Sequence, residues 1–265
     1  ARERTFTFAK AEGALAVTAR AYDDGLAFRY TLTPVSGDAL AISGEATGCR
    51  LPAASTVWAM PYASGAYNYE GLYSETAIED LTGGQATPLL YQTPDGDYAL
   101  LAEAMLDGSY VGTQLVPQDG GLLQAAFVPQ QTEDVTAGET FTSPWRTVIT
   151  GDLSAIVEGS MIENVSDDPD TRADYSWVQP GGTAWSWIAE SAMGQREAQH
   201  DPDIIKEYID LAYEMGWKYF IMDEGWQPPA ASGSGYAGYY DWFDEIVDYA
   251  DERGIGLIAW VLADD

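Results

Sequence analysis

Cysteine occurs once in the 265 residues, at Cys49, and histidine once, at His200. A lone cysteine permits no intrachain disulfide, and one residue of each kind leaves too few soft ligands for a zinc site. Lysine is nearly as scarce, at Lys10, Lys206 and Lys218. With 12 basic side chains against 42 acidic ones, the formal net charge is −30. That balance argues against nucleic acid and anionic membrane surfaces as partners, because phosphates are repelled. It suits a high-salt or extracellular setting, and equally a merely soluble acidic surface. No apolar run approaches the roughly 20 residues of a membrane span. No signal peptide is read at Ala1-Arg2-Glu3-Arg4, which leads straight into strand-like sequence. Walker-type loops, dinucleotide fingerprints and the HExxH pattern are all missing. His200 precedes a helix start, which places it on the side of its strand–helix unit facing the N-terminal end of a barrel or in a connecting loop, and a Ser-His-Asp triad is not expected there.

What is present is an apolar fraction of 46% with nine tryptophans, the composition of a well-packed protein. Residues 1 to about 165 read as antiparallel β structure. Leu26, Phe28, Tyr30 and Leu32 alternate with Ala27, Arg29 and Thr31, the period of a half-buried strand. Asp23-Asp24-Gly25 before that strand predicts a hairpin with the Leu15–Arg20 run. Turn signals recur at Pro34–Gly37, Gly83-Gly84, Asp95-Gly96, Asp119-Gly120-Gly121 and Thr136–Gly138, a spacing that indicates a sandwich or antiparallel barrel. Helical periodicity is hard to find before Asp201. Residues 166–180 are polar and acidic and read as a linker.

From residue 181 the pattern changes to strand, helix, strand, helix, strand. Thr183–Ile188, Lys218–Asp223 and Gly256–Leu262 are the predicted strands. Asp201 is a predicted N-cap with Pro202 at the first helical position. Ile205, Ile209, Ala212 and Met215 form the apolar face of that helix, and Gly216 supplies its left-handed stop. A second helix is predicted from about Tyr240 to Arg253, facing inward through Phe243, Ile246, Val247 and Ala250. This is the start of a parallel (β/α)8 barrel, in which the active site gathers at the C-terminal ends of the strands.

Asp223 ends the second strand. A carboxylate there can bind sugar hydroxyls, ligate a cation or transfer protons; it can also simply cap a loop. Trp226 beside it is a candidate sugar-stacking wall. Trp185 and Trp187 alternate on the first strand, and Trp260 lies on the third; each can line a carbohydrate site or fill the barrel. Glu224 is adjacent to Asp223 and points away. Asp264 and Asp265 follow the third strand and are weaker candidates. In the β region the run Tyr98–Leu106 is apolar on both faces and holds one charge, Glu103. A carboxylate buried there requires a partner. Arg29 or Arg146 could supply it as an ion pair; a hard cation such as Ca²⁺ is the alternative.

An ordered series of segments resembles glycoside hydrolase family 97. It comprises Arg20–Tyr30 (RAYDDGLAFRY), Thr87-Pro88-Leu89 with Tyr98–Tyr110 (YALLAEAMLDGSY), Ser143-Pro144-Trp145-Arg146, Trp177–Trp187 (WVQPGGTAWSW), and Tyr208–Ala212 with Phe220–Trp226 (FIMDEGW). The resemblance implies an N-terminal β-supersandwich over 1–165, the linker at 166–180, and the first three strands of a TIM barrel over 181–265. It further implies an exo-acting α-glycoside hydrolase, secreted or periplasmic, that acts on an oligosaccharide or other α-glycoside and binds Ca²⁺ close to the scissile bond. Glu103 matches the ligand contributed by the sandwich. Asp223, Trp226, Trp187 and Trp260 are the expected substrate-binding residues.

No catalytic residue is assigned within the chain. The resemblance puts the general acid, and the nucleophilic Asp of the retaining branch, beyond Asp265, so the 265-residue chain alone is expected to be inactive. The first strands of the sandwich are expected to be missing. The inverting branch carries a Glu base where this sequence has Leu262, which favours a retaining α-galactosidase. An inverting α-glucosidase, a non-catalytic sugar-binding protein, and a different barrel enzyme built on Asp223, Asp264 and Asp265 are the alternatives.

Overall fold

The computed structural model describes residues 1–35, 40–62, 71–129, 131–137, 140–168, 173–187, 199–230 and 235–261. The chain divides into two compact units, residues 1–170 and 171–265, and the boundary falls within the polar 166–180 segment.

The first unit is built on antiparallel strands: β1 (Arg2–Lys10), β2 (Gly13–Tyr22), β3 (Gly25–Pro34), β4 (Leu40–Ile42), β5 (Gly48–Arg50), β6 (Thr56–Ala59) and β7 (Ser74–Ala77). They are followed by β8 (Leu89–Gln92), β9 (Tyr98–Ala104), β10 (Thr113–Gln118), β11 (Leu122–Phe127), β12 (Val135–Ala137), β13 (Phe141–Thr142) and β14 (Trp145–Gly151). The main sheet runs β1-β2-β3-β14-β9-β8-β6-β7, with β13 also on β3. A second sheet runs β10-β11-β5, and β12 pairs with β4. The hairpin signals act where they were read. Asp23-Asp24 joins β2 to β3, with Tyr22 opposite Gly25; Asp95-Gly96 turns β8 into β9; and residues 119–121 connect β10 to β11.

Between the sheets, Leu51, Val57, Ala59, Leu89, Leu101 and Leu123 form a dry core. The outer face of β14 and β3 is covered as well. Helices α1 (Leu153–Glu158) and α2 (Met161–Val165) lay Ile156, Met161 and Val165 against Ala27, Trp145 and Ile149. Neither helix is legible from periodicity, because six and five residues show less than two turns of pattern. The usable signal for α1 is Asp152, whose side chain accepts from the Ala155 N–H as an N-cap. Their cover buries Ala27 fully, on the face expected to be polar, while most of β3 is half-buried as read.

The second unit holds β15 (Thr183–Trp185), α3 (Pro202–Glu214), β16 (Tyr219–Met222), α4 (Phe243–Asp251) and β17 (Gly256–Ala259). The strands are parallel in the order β15-β16-β17. Ile205, Ile209 and Ala212 of α3 and Ile246 and Ala250 of α4 bury against Ala184, Phe220 and Met222. Ile209 and Ile246 are fully buried, each worth about 1.5–3 kcal/mol. Met215, expected on the buried face of α3, is 56% exposed, because it is the C-cap residue where the chain leaves the helix. The three strands are shorter than predicted. β15 leaves the ladder after Trp185, and α4 begins at Phe243 rather than Tyr240.

The start of α3 was legible in full. The Asp201 carboxylate accepts from the Asp203 and Ile204 N–H groups, with Pro202 following. Asp201→Ala is expected to destabilise the chain by about 1 kcal/mol, read as a shift in denaturation midpoint at constant slope. A midpoint within error of the parent would mean that α3 is held by packing alone.

Candidate functional site

Glu103 lies on β9 opposite Arg146 of β14, and its carboxylate is engaged on both oxygens. Oε1 accepts from Arg146 Nη1 and from the Thr113 hydroxyl at 2.7 Å; Oε2 accepts from the Thr87 hydroxyl at 3.0 Å. The same guanidinium grips a second acid. Arg146 Nη2 and Nε donate to Glu45 Oε2 and Oε1 at 2.6 and 2.9 Å, in a bidentate pair. Tyr110 and Thr47 donate to Glu45 as well. All three charged side chains are at most 9% exposed. Arg29, the other proposed partner, instead lies over the Trp145 ring at 4.5 Å, and Arg20 lies over the same ring at 4.6 Å.

Of the two compensations read for Glu103, this structure holds the ion pair with Arg146. Its charge is compensated by arginine, its remaining acceptor capacity goes to two threonines, and no cluster of three His, Cys, Asp or Glu side chains occurs among the described residues. A guanidinium in contact with the would-be ligand oxygen also repels a divalent cation. The donor set around Glu103 fits a structural ion network. Glu45 and Tyr110 went unread because each partner depends on long-range pairing across the sandwich. The cluster borders a cavity of about 300 Å³ between the sheets, which Cys49 also lines.

Burial pushes the Glu45 carboxyl upward, but Arg146, Thr47 and Tyr110 outweigh it and hold it below its ordinary value of 4.5. A depressed carboxyl contributes stability above its unfolded pKa and loses it as pH falls through the folded one. Unfolding free energy should therefore drop below about pH 4.5. Denaturant titrations at pH 7, 5, 4 and 3 should show a smaller acid drop for Glu45→Gln than for the parent. Equal drops would remove Glu45 from the acid response.

The second unit places Asp223 immediately after β16. Phe220 and Met222 face the helices; the opposite face carries Trp185, Ile221 and Ile258 in one register row. Asp223 shares that face. Its carboxylate accepts the indole N–H of Trp185 at Oδ2 and the Glu224 N–H at Oδ1, 2.7 Å away. Its own N–H donates to Gln199 Oε1 at 2.8 Å. Asp223 is 8% exposed. A carboxylate offers about four acceptor positions, and among the described residues two are used.

The expected aromatic residues separate into different roles. Trp226 is 5% exposed, packs on Phe243 and Tyr239, and donates its indole N–H to the Trp260 carbonyl at 2.5 Å. It belongs to the core and is not an open stacking wall. Trp260 is half-buried and meets Tyr236 edge to face. Trp187 is 47% and Trp185 40% exposed. Glu224 points away from Asp223, as expected, and accepts the Tyr236 phenol. That hydrogen bond, with a lesser part from burial, raises the Tyr236 pKa. Leu262, Asp264 and Asp265 lie outside the described residues.

His200 lies in the connecting loop at the C-terminal strand ends, against Gly225 and edge-on to Tyr240. The topology explains this: the residues before a helix that follows a strand lie at the strand's C-terminal end. That rule also reaches Gln199, which the sequence reading overlooked.

A family model described as glycosyl-hydrolase 97 N-terminal matches residues 1–168. A probable retaining alpha-galactosidase from Streptomyces bingchenggensis is 33% identical over 254 residues, covering 91% of this chain and 36% of that protein. A retaining alpha-galactosidase from Bacteroides thetaiotaomicron is 24% identical, covering 91% of this chain and 41% of its own length. A glycoside hydrolase family 97 enzyme from Pseudoalteromonas sp. strain K8, solved with acarbose, superposes at a TM-score of 0.81 with 25% identity, over 96% of this chain and 41% of that one. A beta-arabinopyranosidase gives 0.79 and 27%, over 97% and 42%. The chain thus spans 36–42% of the length of these relatives.

Proposed function

This chain belongs to glycoside hydrolase family 97, and on that premise we propose that it serves a retaining exo-α-glycosidase of the α-galactosidase type. In this reading β15, β16 and β17 open a (β/α)8 barrel, and the face carrying Trp185, Ile221 and Ile258 is its interior. Asp223 then stands at the catalytic end of the barrel. Its role is to accept hydrogen bonds from hydroxyls of the terminal sugar, with exposed Trp187 offering an apolar surface to the sugar's C–H face. The observation that carries this is the setting of the Asp223 carboxylate. Among the described residues two N–H donors, from Trp185 and Glu224, hold it in one orientation, fewer than the about four acceptor positions a carboxylate offers.

That setting suits binding and orientation better than the covalent or acid–base work. Retaining hydrolysis needs two carboxyl groups about 5 Å apart, one attacking the anomeric carbon and one donating a proton to the leaving oxygen. Asp223's acidic neighbour Glu224 is turned away toward Tyr236. Glu103, paired with Arg146, has no part in this proposal.

The test is Asp223→Asn in the full-length enzyme. Loss of a charged acceptor should lower kcat/KM for 4-nitrophenyl α-galactoside about 10–100-fold, with the melting temperature close to the parent's. Proton NMR of the parent reaction should show the α-sugar formed first. An unchanged kcat/KM would remove Asp223 from the site, and β-sugar as the first product would favour the inverting α-glucosidase alternative.

A further inference from the structure

The β15–β16 ladder ends with Trp185 opposite Ile221. Beyond that row the strands diverge into their loops, and the next backbone groups lose their strand partners. Gln199 fills the gap with its side chain. It is 3% exposed, its amide oxygen accepts the Asp223 N–H at 2.8 Å, and its amide nitrogen donates to the Ser186 hydroxyl. On the other side of β16, the Met222 carbonyl accepts the Trp260 N–H at 2.9 Å. The Met222 carbonyl and the Asp223 N–H belong to one peptide unit. That unit is therefore pinned from both sides, by the Trp260 backbone just after β17 and by Gln199 through a buried side chain. With the peptide plane fixed, the Asp223 Cα and the N–Cα axis about which its side chain turns are fixed too.

The segment carrying Gln199 is itself seated closely. A Cβ on Gly225 would lie 2.7 Å from His200 Nε2 and 3.5 Å from the Gln199 Cβ, and Gly225 has φ +102°. Only glycine lets the turn after Asp223 close over residues 199 and 200 without displacing them.

We propose that Gln199 is a positioning residue for substrate binding, acting through Asp223: it bridges the ends of β15 and β16 and sets the Asp223 carboxylate for the terminal sugar. This rests on the binding role given to Asp223 above. Trp185 orients the carboxylate itself; Gln199 orients the backbone that carries it. Removing the Gln199 acceptor leaves a buried N–H unpaired and lets the 222–223 peptide tilt. A tilt of this kind weakens sugar binding while the acid and nucleophile stay in place.

The test is a double-mutant cycle in the full-length enzyme with 4-nitrophenyl α-galactoside. Gln199→Met, which keeps the length of the side chain and removes its hydrogen bonds to Asp223 and Ser186, should raise KM about tenfold and change kcat less. In an Asp223→Asn background the same substitution should add less than about twofold, because its effect passes through the carboxylate; independent sites would multiply. Trp185→Phe, which removes one N–H from the same carboxylate, provides a second arm if Gln199→Met folds poorly, and it should show the same loss of effect with Asp223→Asn. Multiplying effects in either cycle, or Gln199→Met within twofold of the parent beside an impaired Asp223→Asn, would overturn this assignment alone. An unimpaired Asp223→Asn would overturn the binding role of Asp223 and this assignment with it.

Discussion

Arg146→Met should destabilise the chain by about 3–5 kcal/mol, a loss large enough to unfold a domain of ordinary stability. Arg146 is the cation between two buried acids, Glu45 and Glu103. Removing it leaves two carboxylates, 6% and 9% exposed, without a counter-charge. They must then take up protons or open the sandwich. The unfolding midpoint in urea should fall sharply at pH 7, and part of the loss should return at low pH, where the acids are neutral. Glu103→Gln tests the other side of the network. It keeps a side chain of the same shape, whose amide oxygen can accept from one of Thr113 and Thr87 while its NH2 donates to the other hydroxyl, and loses the charge that meets Arg146. Stability should fall by about 1–3 kcal/mol, with calcium affinity of the full-length enzyme unchanged by isothermal titration. Lost metal affinity with an intact melting temperature would return Glu103 to the metal.

That contrast marks how far the sequence could be read. One charge in a strand apolar on both faces forced the conclusion that Glu103 is compensated, and Arg146 was one of two named partners. Choosing between arginine and calcium needed the register, because Arg146 faces Glu103 only through the β9–β14 pairing. Glu45 could not be found at all: it lies 101 residues from Arg146 in sequence and sits outside any strand. The strand–helix alternation of the second unit was readable because its caps and apolar faces are local. Trp226 shows the limit there. Sequence placed it next to Asp223, and that is correct, but whether an aromatic ring faces solvent or Phe243 depends on the path of the following loop. Gln199 had a topological signal in its position just before a helix cap, and no chemical one, since a glutamine before an N-cap is ordinary.

The Asp23-Asp24-Gly25 turn was read from sequence as a hairpin, and Gly25 as an ordinary turn residue. Its requirement for glycine comes from elsewhere in the chain. A Cβ built on Gly25 would lie 2.1 Å from the backbone carbonyl oxygen of Val148, 3.1 Å from the Ile149 Cα and 3.1 Å from the Met161 sulfur. Gly25 pairs with Ile149 at the end of the β3–β14 ladder, and Asp24 beside it accepts the Thr150 N–H at 2.7 Å, so the backbones cannot separate without breaking that corner of the main sheet. Its φ of +154° adds a conformation that side-chain-bearing residues rarely adopt. Gly25→Ala should therefore cost about 3 kcal/mol or more, from overpacking against backbone and from local strain together. Gly96 in the β8–β9 turn is the matched control. Its φ is +95° with nothing within 4 Å of a built Cβ, so Gly96→Ala should cost only the conformational part, about 1 kcal/mol. Thermal melts of the two variants side by side separate the close approach from the turn. If Gly25→Ala melts no lower than Gly96→Ala, the β3–β14 corner yields more easily than its geometry implies, and the sandwich does not depend on that contact.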